Sequence, residues 1–284
     1  MKKFYTLMVL CLALSITVSA QVQAPQPSPY TKVEQKVGLT DVTLEYSRPG
    51  VKGRTIFGDL VTLDKMWRTG ANKNSIVTFS TSVMINGKKI EAGSYAIFTK
   101  PSIQSWEINF YSETENWGTP EAWDASKVAA TVLAKSMKLN DKVESFTISI
   151  ENLSDGSADL SISWDKTKVV VPFTVPTDEM VMASIEKTMA GPSSNDYYAA
   201  GRYYKDSGKD YNKALEMINK SIEMRGEEKF WMVRQKALTL AKLGKTEEAI
   251  MAAEKSIALA KIAGNDDYVK SNEKSIAEWK SMKK

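Results

Sequence analysis

The chain has 284 residues, of which 43% are hydrophobic and 25% are charged, with 15 Gly and 9 Pro. This composition is typical of a globular protein with one large or two smaller domains, and it excludes collagen-like, coiled-coil and disordered chains. The formal net charge is +4, histidine is absent, and the only cysteine is Cys11. Catalysis by Cys-His or Ser-His-Asp arrangements is therefore excluded, because both need an imidazole.

The first residues have the pattern of a secretory signal peptide spanning 1–20. Lys2 and Lys3 precede an apolar run, and Val18 and Ala20 are small residues at the two positions that signal peptidase reads. A membrane span fits less well, because the run is shorter than the roughly 20 residues that a spanning helix needs. We therefore expect a protein exported to the periplasm or secreted, whose mature chain has no Cys, no His and no transmembrane segment.

A proline-rich linker, 21–30, is followed by a predicted β domain over 31–176. Short segments in this region alternate apolar and polar residues, the pattern of half-buried strands. Turn signals separate them, among them Asn86-Gly87 and Asp155-Gly156, the second of which is predicted to form a tight hairpin. The pattern predicts an antiparallel β-sandwich or a jelly-roll-like domain. The predicted strands are 42–46, 76–80, 95–98, 106–110, 146–150 and 160–164.

The hydrophobic period becomes helical over 177–284, which makes the predicted class α+β with two domains. Segment 214–224 aligns with 249–259 at an offset of 35 residues, and glycines mark the turns. This helical hairpin repeat resembles the tetratricopeptide repeat, with a polar capping helix near 267–280. Such repeats imply a protein partner, although the helices could instead pack mainly against the β domain or one another.

Three of the six arginines lie within 21 residues, at Arg48, Arg54 and Arg68. Arg offers a rigid fork of donors that suits carboxylate, phosphate or carbonyl oxygens, whereas Lys is a flexible point charge. The segment between Tyr46 and the strand at 76–80 is also long for a connection, and long ordered loops on a β scaffold often carry function. This loop is therefore the candidate functional segment.

The same loop carries a family resemblance. Residues 46–72, together with 92–98 and 116–118, resemble the domain of unknown function 2911, a family of exported bacterial proteins, and the resemblance spans about 28–172. A helical repeat tail is a familiar companion of that domain. The resemblance implies no activity and no catalytic or binding residues.

Two interpretations of the arginine-rich loop remain open. In the first, Arg and Asn side chains donate to the oxygens of a glycan or other small polar or anionic ligand, and aromatic faces stack on it. In the second, the arginines pair with Asp59, Asp64 or Glu45 and fasten the loop, with a tryptophan in the core. The candidate ligand-binding residues are Arg48, Arg54, Trp67, Arg68, Asn72 and Trp117.

The preferred function is that of an exported, non-enzymatic binding or scaffold protein without a cofactor. The alternative is a periplasmic hydrolase of saccharides that uses carboxylates, and an envelope assembly factor acting through the helices is a third class. The acidic residues at 113–124 could hold calcium or supply an acid pair, but their spacing matches no ligand loop. We therefore predict no metal site and assign no catalytic residue. The near balance of 38 basic and 34 acidic residues predicts no nucleic-acid binding.

Overall fold

A computed structural model describes residues 24–189 and 191–282 and divides the chain into two compact units between Thr177 and Asp178. The predicted signal peptide, 1–20, lies outside the described residues. No helix in the described part of the chain is long and apolar enough to cross a bilayer.

The first unit is built from two antiparallel sheets, and together with the helices that follow it confirms the predicted α+β class. One sheet has the strand order β1-β2-β3-β6-β7-β8, and the other has the order β5-β4-β10-β9. The strands are β1 Tyr30–Val37, β2 Thr40–Ser47, β3 Ala71–Phe79, β4 Val83–Ile85, β5 Lys88–Ile90, β6 Gly93–Pro101, β7 Ser105–Tyr111, β8 Val128–Lys135, β9 Met137–Glu151 and β10 Ser157–Thr174.

The two sheets share one hydrophobic core. Alternate residues of β2 are buried, since successive side chains of a strand point to opposite faces. Tyr46 on β2 packs edge-on against Phe146 on β9, with ring centroids 5.9 Å apart, and its hydroxyl donates to the carbonyl oxygen of Ile148 at 2.8 Å. Each large side chain buried in this way contributes about 1.5–3 kcal/mol of transfer free energy. The two sheets therefore pack against each other through this core.

The second unit is helical. Three of its helices begin with side-chain caps: Ser193 and Asp196 form a capping box, Asp210 accepts the backbone N–H of Lys213 at 2.9 Å, and Asn265 accepts that of Tyr268 at 3.1 Å. The helices in the described part of the chain are α1 Thr177–Thr188, α2 Ser194–Asp206, α3 Tyr211–Arg225, α4 Phe230–Lys242, α5 Thr246–Ile262 and α6 Asp266–Ser281.

The internal repeat is visible as one hydrogen bond that occurs twice. Ser221 on α3 donates to the carbonyl oxygen of Ser194 at 2.7 Å, and Ser256 on α5 donates to that of Phe230 at 2.7 Å. Both serines are fully buried and are separated by the offset of the aligned segments. Each hydroxyl thus fixes the second helix of a pair to the start of the first, while the tetratricopeptide likeness itself stays a prediction.

Gly201 on α2 packs closely against α3, and enlarging it should destabilise the helical unit. A Cβ there would lie 2.8 Å from Ile218 Cγ1 and 3.1 Å from the carbonyl oxygen of Ala214. We expect Gly201→Val to lower the free energy of unfolding by about 1–3 kcal/mol through overpacking. Urea unfolding followed by far-UV circular dichroism measures the loss. The matched control is Ala199→Val on the exposed side of α2, which costs only the helix propensity of Val, about 0.5 kcal/mol; equal losses would show that the close approach is not limiting.

Candidate functional site

The arginine-rich loop between β2 and β3 is attached to both sheets. Near its start, Gly50 bridges Ser145 on β9. Near its end, the backbone N–H of Trp67 donates to the carbonyl oxygen of Thr99 on β6 at 2.7 Å, and Thr99 N–H donates back at 2.9 Å. A loop fixed at both ends by backbone hydrogen bonds holds its side chains in defined positions.

A strained turn follows Arg68. Thr69, Gly70 and Asn72 have φ values of 57°, 136° and 61°. A β-branched residue at positive φ is a genuine outlier, and such residues persist only where their surroundings over-determine them. Here the Ser75 hydroxyl donates to the carbonyl oxygen of Thr69 at 2.5 Å, and the buried Thr69 hydroxyl donates to that of Thr99 at 3.0 Å. These contacts fix the direction in which the chain leaves Trp67 and Arg68.

Gly70 is required by this turn for two reasons, its backbone conformation and the lack of space around it. A Cβ at Gly70 would lie 2.9 Å from the Ser75 hydroxyl oxygen and 3.4 Å from Phe146 Cε1. We expect Gly70→Ala to cost about 2–3 kcal/mol, from backbone strain and displacement of these neighbours together. Denaturant unfolding followed by tryptophan fluorescence measures the change.

The control for Gly70 separates these two causes. Gly53 has a φ of 73° but nothing within 4 Å of its would-be Cβ. Gly53→Ala should therefore cost only the left-handed backbone penalty, about 1–2 kcal/mol. A Gly70→Ala loss no larger than that of the control would contradict the close packing described for the turn.

Beside Trp67 the structure has a cleft of about 410 Å³. The indoles of Trp67 and Trp164, which both line it, stack with ring centroids 6.0 Å apart and planes inclined by 12°. One wall includes Thr119, whose loop is tied to β3 by an ion pair between Lys73 and Glu115 at 2.8 Å. The described lining residues are Pro27, Ser28, Pro49, Gly50, Lys52, Arg54, Leu60, Val61, Met66, Trp67, Arg68, Gly70, Ala71, Thr119 and Trp164.

Two lining residues carry buried hydrogen-bond donors without partners. Arg68 Nε and Trp164 Nε1 are both shielded from solvent, and neither donates to any acceptor in the described structure. Trp164 is 2% exposed, and its indole N–H cannot donate to bulk water. Leaving such a donor unsatisfied costs about 1–3 kcal/mol, and buried polar groups are nearly always paired. Both residues line the cleft, so two donors without a partner in the described part of the protein belong to its walls.

The cleft is cationic. Lys52, Arg54 and Arg68 line it, and none of the described lining residues is Asp or Glu. Within the described residues, none of these three cations forms an ion pair. Positive charge concentrated in a concave surface with apolar walls raises the local concentration of anions.

One carboxylate stands near the mouth of the cleft. Glu144 accepts the backbone N–H of Lys52 at 2.7 Å and pairs with the Lys142 ammonium at 3.3 Å. The hydrogen bond from Lys52, followed by the contact with Lys142, holds the pKa of Glu144 below its ordinary value. Glu144 is therefore ionised, and its partners are the Lys52 backbone N–H and the Lys142 ammonium. It forms no ion pair with Arg54 or Arg68 among the described residues.

The six residues predicted from the sequence separate into two groups. Arg54, Trp67 and Arg68 line the cleft. Arg54 is partly engaged, because its Nε and Nη2 donate to the carbonyl oxygens of Val51 and Gly50 at 3.1 and 2.6 Å. Trp67 is half-buried and packs against the core. Their role in ligand binding stays a prediction.

The other three lie outside the described lining of the cleft. Arg48 donates from Nε to the carbonyl oxygen of Phe146 at 3.0 Å and from Nη2 to the Thr147 hydroxyl at 2.8 Å, which fastens β2 to β9. Asn72 donates to Ser28 and Ser47, at 3.3 and 3.2 Å. Trp117 is 76% exposed on the loop that supplies Thr119. Among the described residues, none of the three loop arginines pairs with Asp59, Asp64 or Glu45.

The acidic segment near Trp117 is engaged with lysines and with its own backbone. Glu113 pairs with Lys127 at 2.5 Å, and Asp124 accepts the Ser126 backbone N–H at 2.9 Å. The hydrogen bonds from Ser126 also hold the pKa of Asp124 below its ordinary value. Within residues 24–189 and 191–282, no group of three or more acidic side chains is arranged to hold a metal ion.

Sequence reasoning missed two cleft residues of consequence, Lys52 and Trp164. Alternation along β10 predicts Trp164 to be a core residue, and its ring does pack in the core. Nothing in the sequence indicates that its Nε1 lacks a partner, because that depends on which acceptors the other sheet places nearby. The sequence does carry a signal for the turn after Arg68, since Gly70 and Asn72 are the residue types that accept positive φ most readily.

Comparison with curated proteins and with solved structures found no match. Comparison with family models found one, and it confirms the resemblance seen in the sequence. The model of DUF2911, described as a protein of unknown function, matches residues 28–173. This match covers more than half of the 284 residues, and the chain belongs to the DUF2911 family.

Proposed function

We propose that this chain is an exported, non-enzymatic binding protein whose β unit takes a small polar ligand into the cleft beside Trp67. The observation that carries the proposal is the presence of two buried, unpartnered donors, Arg68 Nε and Trp164 Nε1, in the lining of one cleft. An oxygen-rich ligand would give both donors an acceptor. The desolvation cost already present in the free protein would then be removed on binding, which favours the complex.

Binding is favoured over saccharide hydrolysis by the composition of the cleft. A glycosidase needs two carboxyl groups on either side of the scissile bond, about 5–9.5 Å apart. The described lining supplies none, and the acidic side chains at 113 and 124 are held by Lys127 and Ser126. What the cleft does offer is donors, cations and indole surface, the components of a binding site.

The helical unit is proposed to contact a protein partner. Its support is the repeated helix pair, together with apolar side chains left exposed on α5, where Met251 is 69% and Ile262 is 86% exposed. Export is proposed from the signal-peptide pattern alone. Intact-mass measurement of the protein recovered from an exporting host should give a chain starting at Gln21, and a chain that retains 1–20 would contradict it.

A thermal-shift screen tests ligand binding by the β unit. A ligand at 100 times its Kd stabilises the folded state by about 2.7 kcal/mol. For a unit of this size that is a rise in Tm of roughly 5–10 °C. The purified protein would be screened against neutral sugars, sugar acids, sugar phosphates and amino acids.

A charge-matched pair of variants locates any ligand that the screen finds. Arg68→Gln removes a cation that lines the cleft, and Lys65→Gln removes an exposed cation three residues earlier that is not among the lining residues. The proposal expects the shift to disappear in the first variant and to persist in the second. Absence of any shift, or equal shifts in both variants, would overturn it.

A further inference from the structure

The charges and donors of the cleft define its ligand more narrowly than the proposed function does. Three cations line it, at Lys52, Arg54 and Arg68, without a carboxylate among the described lining residues. A neutral ligand would leave this positive charge uncompensated in a partly desolvated cavity, where electrostatic interactions are stronger than in water. The cavity is therefore complementary to negative charge.

Arg68 is the cation best placed to hold an anion. Two nitrogens of Arg54, Nε and Nη2, already donate to the carbonyl oxygens of Val51 and Gly50. Arg68, in contrast, has no hydrogen-bond or ion-pair partner among the described residues, and its Nε is buried. A guanidinium with free donors binds carboxylate and phosphate oxygens as a fork, through paired charge-assisted hydrogen bonds that are stronger than neutral ones.

Trp164 lines the same cleft and carries a single neutral donor. Its indole N–H can satisfy one oxygen, whereas the stacked indoles of Trp67 and Trp164 offer apolar surface to the body of a ligand. The volume of about 410 Å³ lies near the lower end of the range for small-molecule sites. That space suits one ring with its substituents and not an extended chain of rings.

We infer that the cleft is selective for a single-ring oxyanion, a sugar acid or sugar phosphate, with the anionic group on the Arg68 guanidinium and a further oxygen on the Trp164 indole N–H. This inference rests on the proposed function and adds the charge of the ligand to it. Carboxylate and phosphate share the chemistry that Arg68 recognises, so the experiment includes both.

Isothermal titration calorimetry on the full purified protein with matched ligands tests the selectivity. Glucuronate and glucose 6-phosphate carry the anion, and glucose is the neutral counterpart. We expect at least one of the two anions to bind 30-fold or more tightly than glucose, as loss of a charge-assisted hydrogen-bonded pair implies. Raising the salt concentration should lower the affinity for that anion several-fold, because added ions screen the positive charge of the cleft.

Three variants and one control, Lys65→Gln, assign the roles. Arg68→Lys keeps the charge and loses the fork, so anion affinity should fall about 10-fold, and Arg68→Gln should lower it about 100-fold. Trp164→Phe, which removes one neutral donor, should lower it about 2- to 10-fold. Lys65→Gln should change it less than 2-fold, since Lys65 is exposed and not among the lining residues.

The outcomes separate failure of the inference from failure of the proposed function. If glucose binds as tightly as both anions, and only Trp164→Phe lowers the affinity, the selectivity for anions is overturned. The cleft then remains a binding site for neutral sugars. Anion binding that Arg68→Gln leaves intact would overturn the role of Arg68. Absence of binding for all three ligands would overturn the inference, and only the broader screen would then decide the proposed function.

Discussion

Replacing Arg68 with Met is expected to make the free protein more stable while removing its affinity for anions. The Arg68 Nε is buried without a partner, and its guanidinium lacks a counter-ion among the described residues. Met keeps much of the apolar stem and removes the unsatisfied donors, so the free energy of unfolding should rise by about 1 kcal/mol. Anion affinity should fall about 100-fold. Urea unfolding without ligand and titration with glucuronate or glucose 6-phosphate measure the two effects on one sample.

Arg54→Met is the matched control for this prediction. Arg54 lines the same cleft, but its donors already bond to the carbonyl oxygens of Val51 and Gly50. Its replacement should therefore lower stability by about 0.5–1.5 kcal/mol, the opposite sign. A loss of stability in Arg68→Met equal to that in Arg54→Met would show that Arg68 is a structural residue and would contradict its assignment to a ligand.

Trp67→Ala should cause the largest loss of stability among the candidate site residues. The indole packs edge-on against Phe57, Trp106 and Phe146, with centroids 5.6–6.4 Å apart, and it stacks on Trp164. Truncating a core aromatic costs about 3–5 kcal/mol, through lost burial and the cavity left behind. Near-UV circular dichroism during denaturant unfolding reports on this aromatic cluster directly.

Trp117 provides the control for Trp67. Its side chain is 76% exposed, so Trp117→Ala should change the free energy of unfolding by less than about 0.5 kcal/mol. A comparably small change in Trp67→Ala would contradict the description of Trp67 as a cleft residue that packs against the core. A large loss in Trp117→Ala would mean that its loop is anchored through the indole.

Most of the longer strands could be predicted from the sequence, including β9 at a sheet edge, whereas the edge strands β1, β5 and β8 and the short β4 could not. The predicted segments 42–46 and 160–164 fall within β2 and β10. Strand β1 was missed because its side chains alternate between exposed and half-exposed, with only Val37 buried, as suits an edge strand that carries two lysines. Without an apolar face, a strand leaves no period in the sequence.

Turns were predictable where one residue pair determines the geometry. Asn86 and Gly87 form the two-residue connection between β4 and β5, with φ values of 51° and 73°. The hairpin predicted at Asp155-Gly156 does join β9 to β10, but its connection is longer than two residues, covers 152–156 and has its positive φ of 50° at Asn152. Ser154 and Ser157 hydrogen-bond across this longer turn, with Ser154 N–H donating to the Ser157 carbonyl at 2.9 Å.

The loop that carries the candidate site could be predicted from the sequence, but the set of side chains that meet at the cleft could not. The scarcity of arginine singles out the loop between β2 and β3, and Arg68 and Trp67 of that loop line the cleft. The sequence could not show that Arg48 would use its fork on Phe146 and Thr147, which lie about 100 positions away along the chain. It also could not bring Trp164 to the same cleft, since that contact depends on the packing of two sheets.

The indole N–H resonance of Trp164 in a ¹H–¹⁵N spectrum tests the central claim most directly. The protein has seven tryptophans, and the Trp164→Phe variant identifies this signal by its loss. On addition of glucuronate or glucose 6-phosphate, we predict a downfield shift of the Trp164 signal as its unpartnered N–H gains an acceptor, and no such shift in Arg68→Met. A Trp164 signal that stays in place while either compound binds elsewhere, or that moves equally in Arg68→Met, would contradict the assignment of this cleft as an anion-binding site.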